Sequence, residues 1–575
     1  MSQALTGAQA LVRVLLGEKV RHLFGIVGGK LNPLLHAVSQ HPELRFLGTR
    51  HEGAGPMMAA AVHAGTGQLA VALGEMGPGG LNLISGLGVA FNNHLPLLAI
   101  TTNQHRAAAY PHNGMFMDLD TVAVSRPITK WNAVVHDARR MPELARRAIR
   151  EALSGRPGPV HLDVPQDVLT QVVEFADDEF DLPPHRYRAI GRMRPDRAAV
   201  EQAAKRLLAA KRPLIVAGGG VVASGAEAQV GALAHRLQCP VIATQMALGA
   251  VPTDSAHFIG HGGLIAGAPV KEAFSMADTL LSVGCRWSSW MWDERGPLAR
   301  RAHRSIAVNI DPSALGHPMV HEVAMQADAG AALDDLLDAL GEARAASTEA
   351  DWLPRLQALR RSYAAQMTAG SGEAGQAMHP AALAKEIARC LPPEALVVYD
   401  GGHTTFWSND LTPVDATRTR FHEPGMSHLG FGLPYALALR AARPDRPAVL
   451  ITGDGSFGFT LNELDTARRY GLPVLTLIHN NEAWGIIRAG QRNALDFELG
   501  TSLQGTDYAA IARGFGCHGE RVDALEQVEP AMRRALESGL PAVLDCRTRF
   551  VAHPAMPMFG SMNRYGFDAL TRPSI

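Results

Sequence analysis

Two polar turns in the last third of the chain carry the residue types best suited to bind a metal ion and a phosphate. Asp454 lies between Gly453 and Gly455, and Asn480-Asn481 follows after 24 further residues. A carboxylate, an amide oxygen and a backbone carbonyl, joined by phosphate oxygens, satisfy the octahedral oxygen ligation of Mg²⁺. Glycines let a diphosphate approach the backbone closely. Such turns also form without a ligand, and it is the spacing between them that favours a shared site.

The segments around these turns predict a βαβ unit that places both turns at one edge of a sheet. Apolar runs at Ala448–Thr452 and Pro473–Ile478 are typical of buried parallel strands. Between them, Thr460 and Glu463 are spaced as a capping box and predict the start of a helix, which Gly471 ends. Because ligands bind at the carboxyl ends of parallel strands in open α/β sheets, we expect the two turns to form one binding site.

The Gly-Asp-Gly turn, with Asn-Asn 24 residues later, resembles the signature of thiamine diphosphate (ThDP) enzymes. Over nearly its whole length the chain is similar to the group that contains acetolactate synthase, benzaldehyde lyase and 2-hydroxyacyl-CoA lyase. The resemblance implies ThDP and Mg²⁺ as cofactors, with Mg²⁺ held by Asp454, Asn481 and the carbonyl of Ala483. It also implies that the following residues contact the cofactor: His403, Thr404, Leu429, Gly455, Ser456, Asn481 and Ile486. Leu429 would hold the cofactor in its V shape, and an ordinary core leucine is the alternative.

Such a cofactor needs a carboxyl group to activate it, and Glu52 is the candidate. Glu52 lies between an extended segment, Arg45–His51, and a helix of small residues that begins near Gly53. The resemblance implies that Glu52 hydrogen-bonds the N1′ atom of the aminopyrimidine and favours its imino tautomer. The helix dipole alone also favours a glutamate at this position. Because the family's active site lies between two subunits, Glu52 would serve a cofactor held by the partner subunit's Asp454, which implies a homodimer or homotetramer.

Lys30, Glu75 and Phe116 are candidates for catalytic contacts with the substrate. Lys30 follows the predicted strand Leu23–Val27, and it could attract a carboxylate, help proton transfer or simply be solvated. Glu75 could act as an acid or base, or pair with Lys30. Phe116 matches a phenylalanine of the acetolactate synthases. The resemblance also places the following residues near the substrate: Trp484, Ile486, Ile487 and Gln491.

Two departures from the acetolactate synthase pattern bear on the reaction. Met117 takes the place of a glutamine and Gln166 that of a lysine. The resemblance therefore implies a ThDP- and Mg²⁺-dependent lyase or carboligase, which cleaves or forms 2-hydroxyketones or decarboxylates 2-oxo acids with carboligation. Acetolactate synthase proper is one alternative, and an enzyme similar to 2-hydroxyacyl-CoA lyase or oxalyl-CoA decarboxylase is another. Intact Glu52, Asp454 and Asn481 argue against a non-catalytic scaffold.

A chain of 575 residues suggests several domains. Repeated alternation of strand and helix patterns predicts an α/β fold with three doubly wound parallel-sheet domains. The resemblance identifies them as the pyrimidine-binding, central and diphosphate-binding domains. Connectors are predicted at Asp181–Arg188 and Ala369–Ala377. The predicted domains are 1–180, 190–345 and 378–555, followed by a C-terminal tail at 556–575.

The central domain has weak signs of a nucleotide site. Gly218–Gly220 follows a predicted strand, and Asp311 follows the predicted strand Ser305–Ile310, but a full dinucleotide fingerprint is absent. Related enzymes use this domain for FAD, for a CoA or ADP nucleotide, or for neither, and they differ at Gly284–Trp290. Binding of FAD or of CoA or ADP here stays open, and we do not expect it. An FAD- or NAD-dependent oxidoreductase is the alternative from another enzyme class.

Composition narrows the partners and the compartment. A net charge of −1 and a pI near 7.1 give no support for nucleic acid or an anionic membrane as a partner. The five cysteines have no CxxC spacing, which argues against a zinc site or disulfide framework and fits a reducing cytosol. Met1–Gly7 is predicted to open an amphipathic helix and lacks a signal-peptide pattern. We therefore expect a cytoplasmic enzyme that acts on a small-molecule carbonyl substrate.

Overall fold

The computed structural model describes residues 2–109, 112–263, 266–288, 291, 305–343, 347–368 and 377–554. Within these residues the chain forms three six-stranded sheets, in which neighbouring strands pair in parallel. Helices flank the sheets, and the predicted fold class is confirmed. The tail at 556–575, most of the connector at 369–377 and the last two residues of 284–290 lie outside the described residues.

The first sheet has the strand order β3-β2-β4-β5-β7-β6, and a separate antiparallel pair joins β1 to β8. Residues such as Val71 and Leu98 in its strands are fully buried, as expected for a parallel sheet covered on both faces. The strands are β1 Ser2–Thr6, β2 His22–Gly25, β3 Arg45–Gly48, β4 Val71–Gly74, β5 Leu98–Asn103, β6 Trp131–Val134, β7 Val160–Pro165 and β8 Val172–Ala176. The helices are α1 Gly7–Gly17, α2 Asn32–Ser39, α3 Ala54–Thr66, α4 Pro78–Asn93, α5 Arg106–Ala109, α6 Thr121–Ser125, α7 Met141–Leu153 and α8 Gln166–Thr170.

The second sheet has the order β11-β10-β9-β12-β13-β14. Its strands are β9 Pro213–Ala217, β10 Val241–Ala243, β11 Phe258–His261, β12 Thr279–Val283, β13 Ser305–Asn309 and β14 Val323–Gln326. Its helices are α9 Arg197–Ala209, α10 Gly219–Ser224, α11 Glu227–Leu237, α12 Ala268–Met276 and α13 Ala329–Leu340, and α14 Trp352–Thr368 leads to the third sheet.

The third sheet has the order β16-β15-β17-β18-β20-β19. Its strands are β15 Leu396–Tyr399, β16 Arg420–Phe421, β17 Ala448–Gly453, β18 Val474–Asn480, β19 His518–Val522 and β20 Ala542–Arg547. Its helices are α15 Pro380–Cys390, α16 His403–Leu411, α17 Gly432–Ala442, α18 Asp454–Phe457, α19 Leu464–Arg469, α20 Gly485–Leu495, α21 Tyr508–Gly514 and α22 Val528–Glu537. The observed β17 and β18 confirm the two strands predicted around the Gly-Asp-Gly and Asn-Asn turns.

The strand order creates a crevice at the carboxyl edge of the third sheet. After β15 the chain adds β16 on one side of it, and it then returns to add β17 on the other side. The loops that leave β15 and β17 therefore diverge at their carboxyl ends, which is where open α/β sheets bind ligands. The equivalent divergences lie between β2 and β4 in the first sheet and between β9 and β12 in the second.

The N-terminal and C-terminal domains share one hydrophobic core. Met58 in α3 and Leu437 in α17 belong to the same buried cluster, and a Cβ on Gly65 would come within 2.5 Å of Leu439 Cδ2. Arg418 joins all three domains, because its guanidinium donates to the carbonyls of His63 and Ala64 in α3 and of Val222 in the central domain. The fold therefore positions the first and third sheets relative to each other by direct packing.

The beginning of the chain differs from the prediction. Ser2–Thr6 forms β1, which pairs with β8 instead of opening a helix, and α1 starts only at Gly7. Thr6 caps α1 through a capping box with Gln9, so that tertiary strand pairing shortens the predicted helix at its start. Among the described residues, the helices fall short of the combined length and apolar character that a membrane span requires.

Candidate functional site

A cavity of about 280 Å³ opens at the carboxyl edge of the third sheet, at the crevice between β15 and β17. Its walls come from the loops that follow β15, β16, β17 and β18. Every described residue that lines it belongs to the C-terminal domain. Nine residues proposed from the sequence as ligands of the cofactor or metal lie in this wall: His403, Thr404, Leu429, Asp454, Gly455, Ser456, Asn481, Ala483 and Ile486. Residues that are far apart in the sequence therefore meet in one cavity.

Asp454 forms a corner of the cavity that suits a cation. Asp454 is 3% exposed, and its Oδ2 atom has no hydrogen-bond partner among the residues that the structure describes. Burial raises the pKa of Asp454 to about 7, although backbone N–H groups of Gly455 and Ala483 oppose this shift. A buried carboxylate without a counter-ion is costly. The carboxylate, the Asn481 side chain and the Ala483 backbone together offer the oxygen ligands that Mg²⁺ prefers, so the residues present fit this ion.

The two residues of the Asn pair have different roles. Asn480 points away from the cavity and donates from Nδ2 to Asp545 Oδ1 at 2.8 Å. Asn481 lines the cavity, and its Oδ1 accepts from the Ala483 N–H at 3.1 Å. Asp545 also accepts from the Tyr508 N–H, and the Tyr508 hydroxyl donates to the Asp454 carbonyl at 3.0 Å. Asp545 and Tyr508 therefore fix both polar turns, a role that the sequence analysis missed.

The opposite wall of the cavity suits a phosphate. His403 and Thr404 form the first turn of α16, and the N-terminus of a helix favours anions. His403 is 7% exposed, neither of its ring nitrogens has a hydrogen-bond partner among the described residues, and burial lowers its pKa to about 3. A neutral imidazole with one N–H can donate to a phosphate oxygen. Close packing also requires a glycine at position 455, because a Cβ there would lie 2.5 Å from Trp484 Cζ3.

Leu429 is held at the cavity by a buried carboxylate that the sequence analysis did not single out. Asp400 Oδ2 accepts the backbone N–H groups of Gly430 at 3.0 Å and Gly432 at 3.1 Å. Burial raises the pKa of Asp400 to about 7, while these N–H groups oppose the shift. Leu429 itself is only half-buried and lines the cavity. These features favour a ligand-supporting side chain over an ordinary core leucine.

The predicted capping box of Thr460 and Glu463 is wrong. The Thr460 hydroxyl donates to the Gly430 carbonyl at 2.7 Å and so secures the loop of Leu429. Glu463 is fully buried and accepts the N–H groups of Arg50 and His51 and the Thr466 hydroxyl. Tertiary contacts therefore take both side chains away from the helix start, and the helix α19 begins only at Leu464.

Glu52 lies in the turn before α3, as expected, but on the N-terminal domain and outside the wall of the cavity. Its Oε2 atom accepts from Asn82 Nδ2 at 2.9 Å, and Asn82 belongs to α4. Glu463 of the C-terminal domain fixes the backbone just before Glu52 through Arg50 and His51. One chain therefore holds Glu52 rigidly without presenting it to its own cavity.

Lys30 and Glu75 lie at the carboxyl edge of the first sheet, and their side chains have other partners than each other, although pairing was one of the alternatives for Glu75. Lys30 Nζ donates to Gln166 Oε1 at 2.6 Å. The Glu75 carboxylate accepts backbone N–H groups of Lys30, Leu31 and Met76, and the Thr102 hydroxyl at 2.8 Å. Because its oxygens are engaged by these donors, Glu75 holds the turn that carries Lys30.

Phe116 lies on the N-terminal domain, in the segment that follows β5, and is 80% exposed. Its carbonyl accepts from Gln104 Nε2 at 2.9 Å. Two further large apolar side chains are exposed near the carboxyl ends of strands: Val27, which follows β2, is 63% exposed, and Ile487, in the first turn of α20, is 48% exposed. Within the described chain, Phe116, Lys30, Glu75 and Glu52 form no part of the cavity wall.

The glycines of the central domain have a packing explanation. A Cβ on Gly218 would lie 2.3 Å from the Gly284 carbonyl oxygen, and one on Gly220 would lie 2.6 Å from Gly284 Cα. Asp311, at the carboxyl end of the same sheet, pairs with Arg156 of the N-terminal domain at 2.7 Å. These contacts account for residues that weakly indicated a nucleotide site.

Comparison with known proteins agrees with this geometry. Models of the thiamine pyrophosphate enzymes match the N-terminal TPP binding domain at residues 5–124, the central domain at 200–336 and the C-terminal TPP binding domain at 400–546. The C-terminal match includes every residue of the cavity wall. The chain belongs to the ThDP-dependent enzymes of the acetolactate synthase group. Carboligase and decarboxylase chemistry at ThDP is therefore its class of activity.

Relatives match along most of the chain. The acetolactate synthase large subunit of Parasynechococcus marenigrum is 31% identical over 95% of this chain and 88% of its own. The acetolactate synthase isozyme 1 large subunit of Escherichia coli is 30% identical over 94% of both chains. The probable 2-ketoarginine decarboxylase of Pseudomonas aeruginosa is 33% identical, also over 94% of both.

Proposed function

We propose that this ThDP enzyme requires Mg²⁺ and that it makes or breaks a carbon–carbon bond next to a carbonyl group. The observation that supports this best is the buried Asp454, which lies in the cavity wall together with Asn481 and Ala483. Its Oδ2 atom has no hydrogen-bond partner in the described part of the chain. A divalent cation at this corner compensates the carboxylate and ties a diphosphate to the protein. His403 and Thr404, at the start of α16, bind phosphate oxygens on the other side of that diphosphate.

ThDP, when bound, supplies the electron sink for chemistry at a carbonyl carbon. The chain's own residues bind the cofactor, orient it and exchange protons with it. Asp454, Asn481 and the Ala483 carbonyl hold the metal, His403, Thr404 and Ser456 hold phosphate oxygens, and Leu429 and Ile486 support the ring system. Glu52 holds a proton at a ring nitrogen of the cofactor, with its carboxylate oriented by Asn82.

The active site is shared by two subunits in this proposal. The cavity has walls from the C-terminal domain, while Glu52, Lys30, Glu75 and Phe116 lie on the N-terminal domain. A second copy completes the site by supplying the N-terminal group, as a homodimer or homotetramer. Exposed apolar side chains such as Phe116 and Ile487 are suited to burial between copies. We place the domains at 1–180, 190–345 and 378–555 and the protein in the cytoplasm, where its free thiols are stable.

For the substrate, we propose a 2-oxo acid donor. The Lys30 ammonium, oriented by Gln166, attracts a carboxylate, and Glu75 is occupied by backbone donors and Thr102 and so does not neutralise it through a side-chain pair. The test is a panel of 2-oxo acids, 2-hydroxyketones and 2-hydroxyacyl-CoAs, incubated with ThDP and Mg²⁺ and followed by product mass spectrometry. Turnover of a 2-oxo acid supports the proposal. Turnover restricted to neutral hydroxyketones or CoA thioesters contradicts the donor class, and no ThDP binding contradicts the function.

A further inference from the structure

A buried carboxyl group lines the cavity and belongs to a different strand end from the proposed metal ligands. Glu423 follows β16, at one edge of the third sheet, whereas Asp454 and Asn481 follow β17 and β18. Glu423 is 2% exposed and lines the cavity, and within the described residues its Oε2 atom has no hydrogen-bond partner. Neither the predicted metal set nor the predicted phosphate contacts use it.

The surroundings of Glu423 do not compensate its polar atoms. Tyr435 in α17 interacts with Glu423, but the tyrosine hydroxyl completes no hydrogen bond of normal geometry. Its neighbour His422 has a pKa lowered to about 3 by burial, so it is neutral and offers no positive charge. Among the described residues, Glu423 forms no ion pair with a lysine or arginine. Buried polar atoms are nearly always paired, and because Glu423 is one of the residues that line the cavity, a ligand bound there is the simplest partner for its carboxyl group.

Contacts at both ends hold the loop that carries Glu423 in place. The Gly425 N–H donates to Asn93 Oδ1 at 2.8 Å, and a Cβ on Gly425 would lie 2.4 Å from the Asn92 carbonyl oxygen. At the other end of the loop, the Gly430 N–H donates to Asp400. The segment is therefore clamped on both sides, by the N-terminal domain and by the end of β15. Side chains held in this way are pre-organised for a ligand.

Burial favours the protonated form of the Glu423 carboxyl group. Burial raises its pKa to about 8, which only its interaction with Tyr435 opposes. A protonated carboxyl group has one O–H that can donate a hydrogen bond. An ionised one would accept instead and would repel a negatively charged ligand. Burial of a carboxyl group is an established way to keep a donor available in an active site.

We infer that Glu423 is a protonated hydrogen-bond donor to an acceptor atom of the bound cofactor. The inference rests on the proposed function, because the occupant of the cavity is ThDP there. Every described residue in the wall of this cavity belongs to the C-terminal domain and lies within the match to the C-terminal TPP binding domain, so under the proposed function the cofactor occupies it. Glu423 thus adds a ligand to the cofactor beyond the metal and phosphate sites.

The test uses three variants of the full-length protein without cofactor, titrated by calorimetry with ThDP at saturating Mg²⁺. Glu423→Ala removes the donor, Glu423→Gln keeps an N–H donor that cannot ionise, and Tyr435→Phe removes only the neighbouring hydroxyl. We expect Glu423→Ala to raise the ThDP Kd by about 10- to 100-fold. Glu423→Gln and Tyr435→Phe are expected to stay within about threefold of the wild type.

A second readout separates this role from a structural one. Because no described residue is a hydrogen-bond partner of Oε2, Glu423→Ala should leave the melting temperature of the cofactor-free protein close to that of the wild type, while the rise in melting temperature on adding ThDP should become smaller. The inference is overturned if Glu423→Ala binds ThDP like the wild type. It is also overturned if Tyr435→Phe reproduces the loss, since Glu423 would then act through Tyr435. Failure of the wild type to bind ThDP would instead overturn the proposed function.

Discussion

Asn82 Nδ2 lies 2.9 Å from Glu52 Oε2 and donates a hydrogen bond to it. Asn82 belongs to α4 and Glu52 to the turn before α3, so this contact fixes the carboxylate between two helices that flank the first sheet. A second clamp acts on the backbone, because Glu463 of the C-terminal domain accepts the N–H groups of Arg50 and His51. Glu52 is therefore held in a defined orientation before any ligand arrives, as expected for a group that must meet one atom of a cofactor.

Replacement of Glu52 should separate activation from binding. We expect Glu52→Gln to fold and to bind ThDP, but to exchange the C2 proton of ThDP about 100-fold or more slowly, because the amide cannot share a proton with the cofactor ring. Proton NMR of acid-quenched samples in D₂O measures this exchange. Asn82→Ala should slow exchange less, since it only disorders the carboxylate. Wild-type exchange in Glu52→Gln would leave Glu52 with only its role at the start of the helix.

A mixture of two inactive variants tests the shared site. We co-express Glu52→Gln and Asp454→Ala chains with different tags. In a mixed dimer, one active site carries both substitutions and the other carries neither, so a random mixture should recover about a quarter of wild-type activity per subunit. Each variant expressed alone should have almost none. Recovery limited to the level of the separate variants would indicate that each chain builds its site alone.

Lys30 should control the choice of donor. We expect Lys30→Met to raise KM for a 2-oxo acid about 10-fold or more, and to change KM for a neutral hydroxyketone little, because only the first donor carries a carboxylate. Gln166→Ala, which removes the 2.6 Å partner of Lys30 Nζ, should give a smaller loss of the same kind. Lys19→Met, at an exposed position, is the control. Equal losses for both donors would favour a role in proton transfer, and no loss for either would indicate a solvated lysine.

The sequence predicted the third domain well because its signals are local. Buried apolar runs defined β17 and β18, and residues that follow strands of one sheet necessarily meet at one edge, so Asp454, Asn481 and His403 came together as expected. Partners that are distant in sequence could not be predicted in this way. Asp545, which anchors Asn480, lies 65 residues further along the chain, and no local pattern marks it.

The errors have the same physical origin. Thr460 and Glu463 have the spacing of a capping box, but their side chains form tertiary hydrogen bonds instead. The Thr460 hydroxyl donates to the Gly430 carbonyl, and Glu463 accepts a backbone N–H just before Glu52. Pairing with Lys30 was one of the alternatives for Glu75, but Glu75 accepts backbone N–H groups while Lys30 Nζ donates to Gln166. Propensity and charge identify the residues that can interact, and tertiary packing decides which of them do.

Asp400 should stabilise the loop of Leu429. Asp400→Ala leaves the N–H groups of Gly430 and Gly432 without their acceptor, and we expect it to lower the free energy of unfolding by about 1–3 kcal/mol and to weaken ThDP binding. Asp400→Asn keeps one acceptor oxygen and should lose less of both. Chemical denaturation and calorimetry measure the two quantities. An Asp400→Ala protein with unchanged stability would show that the loop does not depend on this carboxylate.

The central claim is that Asp454 binds the metal that holds ThDP, and isothermal calorimetry of ThDP and Mg²⁺ binding tests it most directly. We predict that Asp454→Ala weakens ThDP binding by about 100-fold or more while the protein keeps its fold by circular dichroism. Asp523→Ala, which removes an exposed carboxylate paired with Arg521, should bind like the wild type. Equal ThDP affinity in the wild type and Asp454→Ala would contradict the assignment of the metal site.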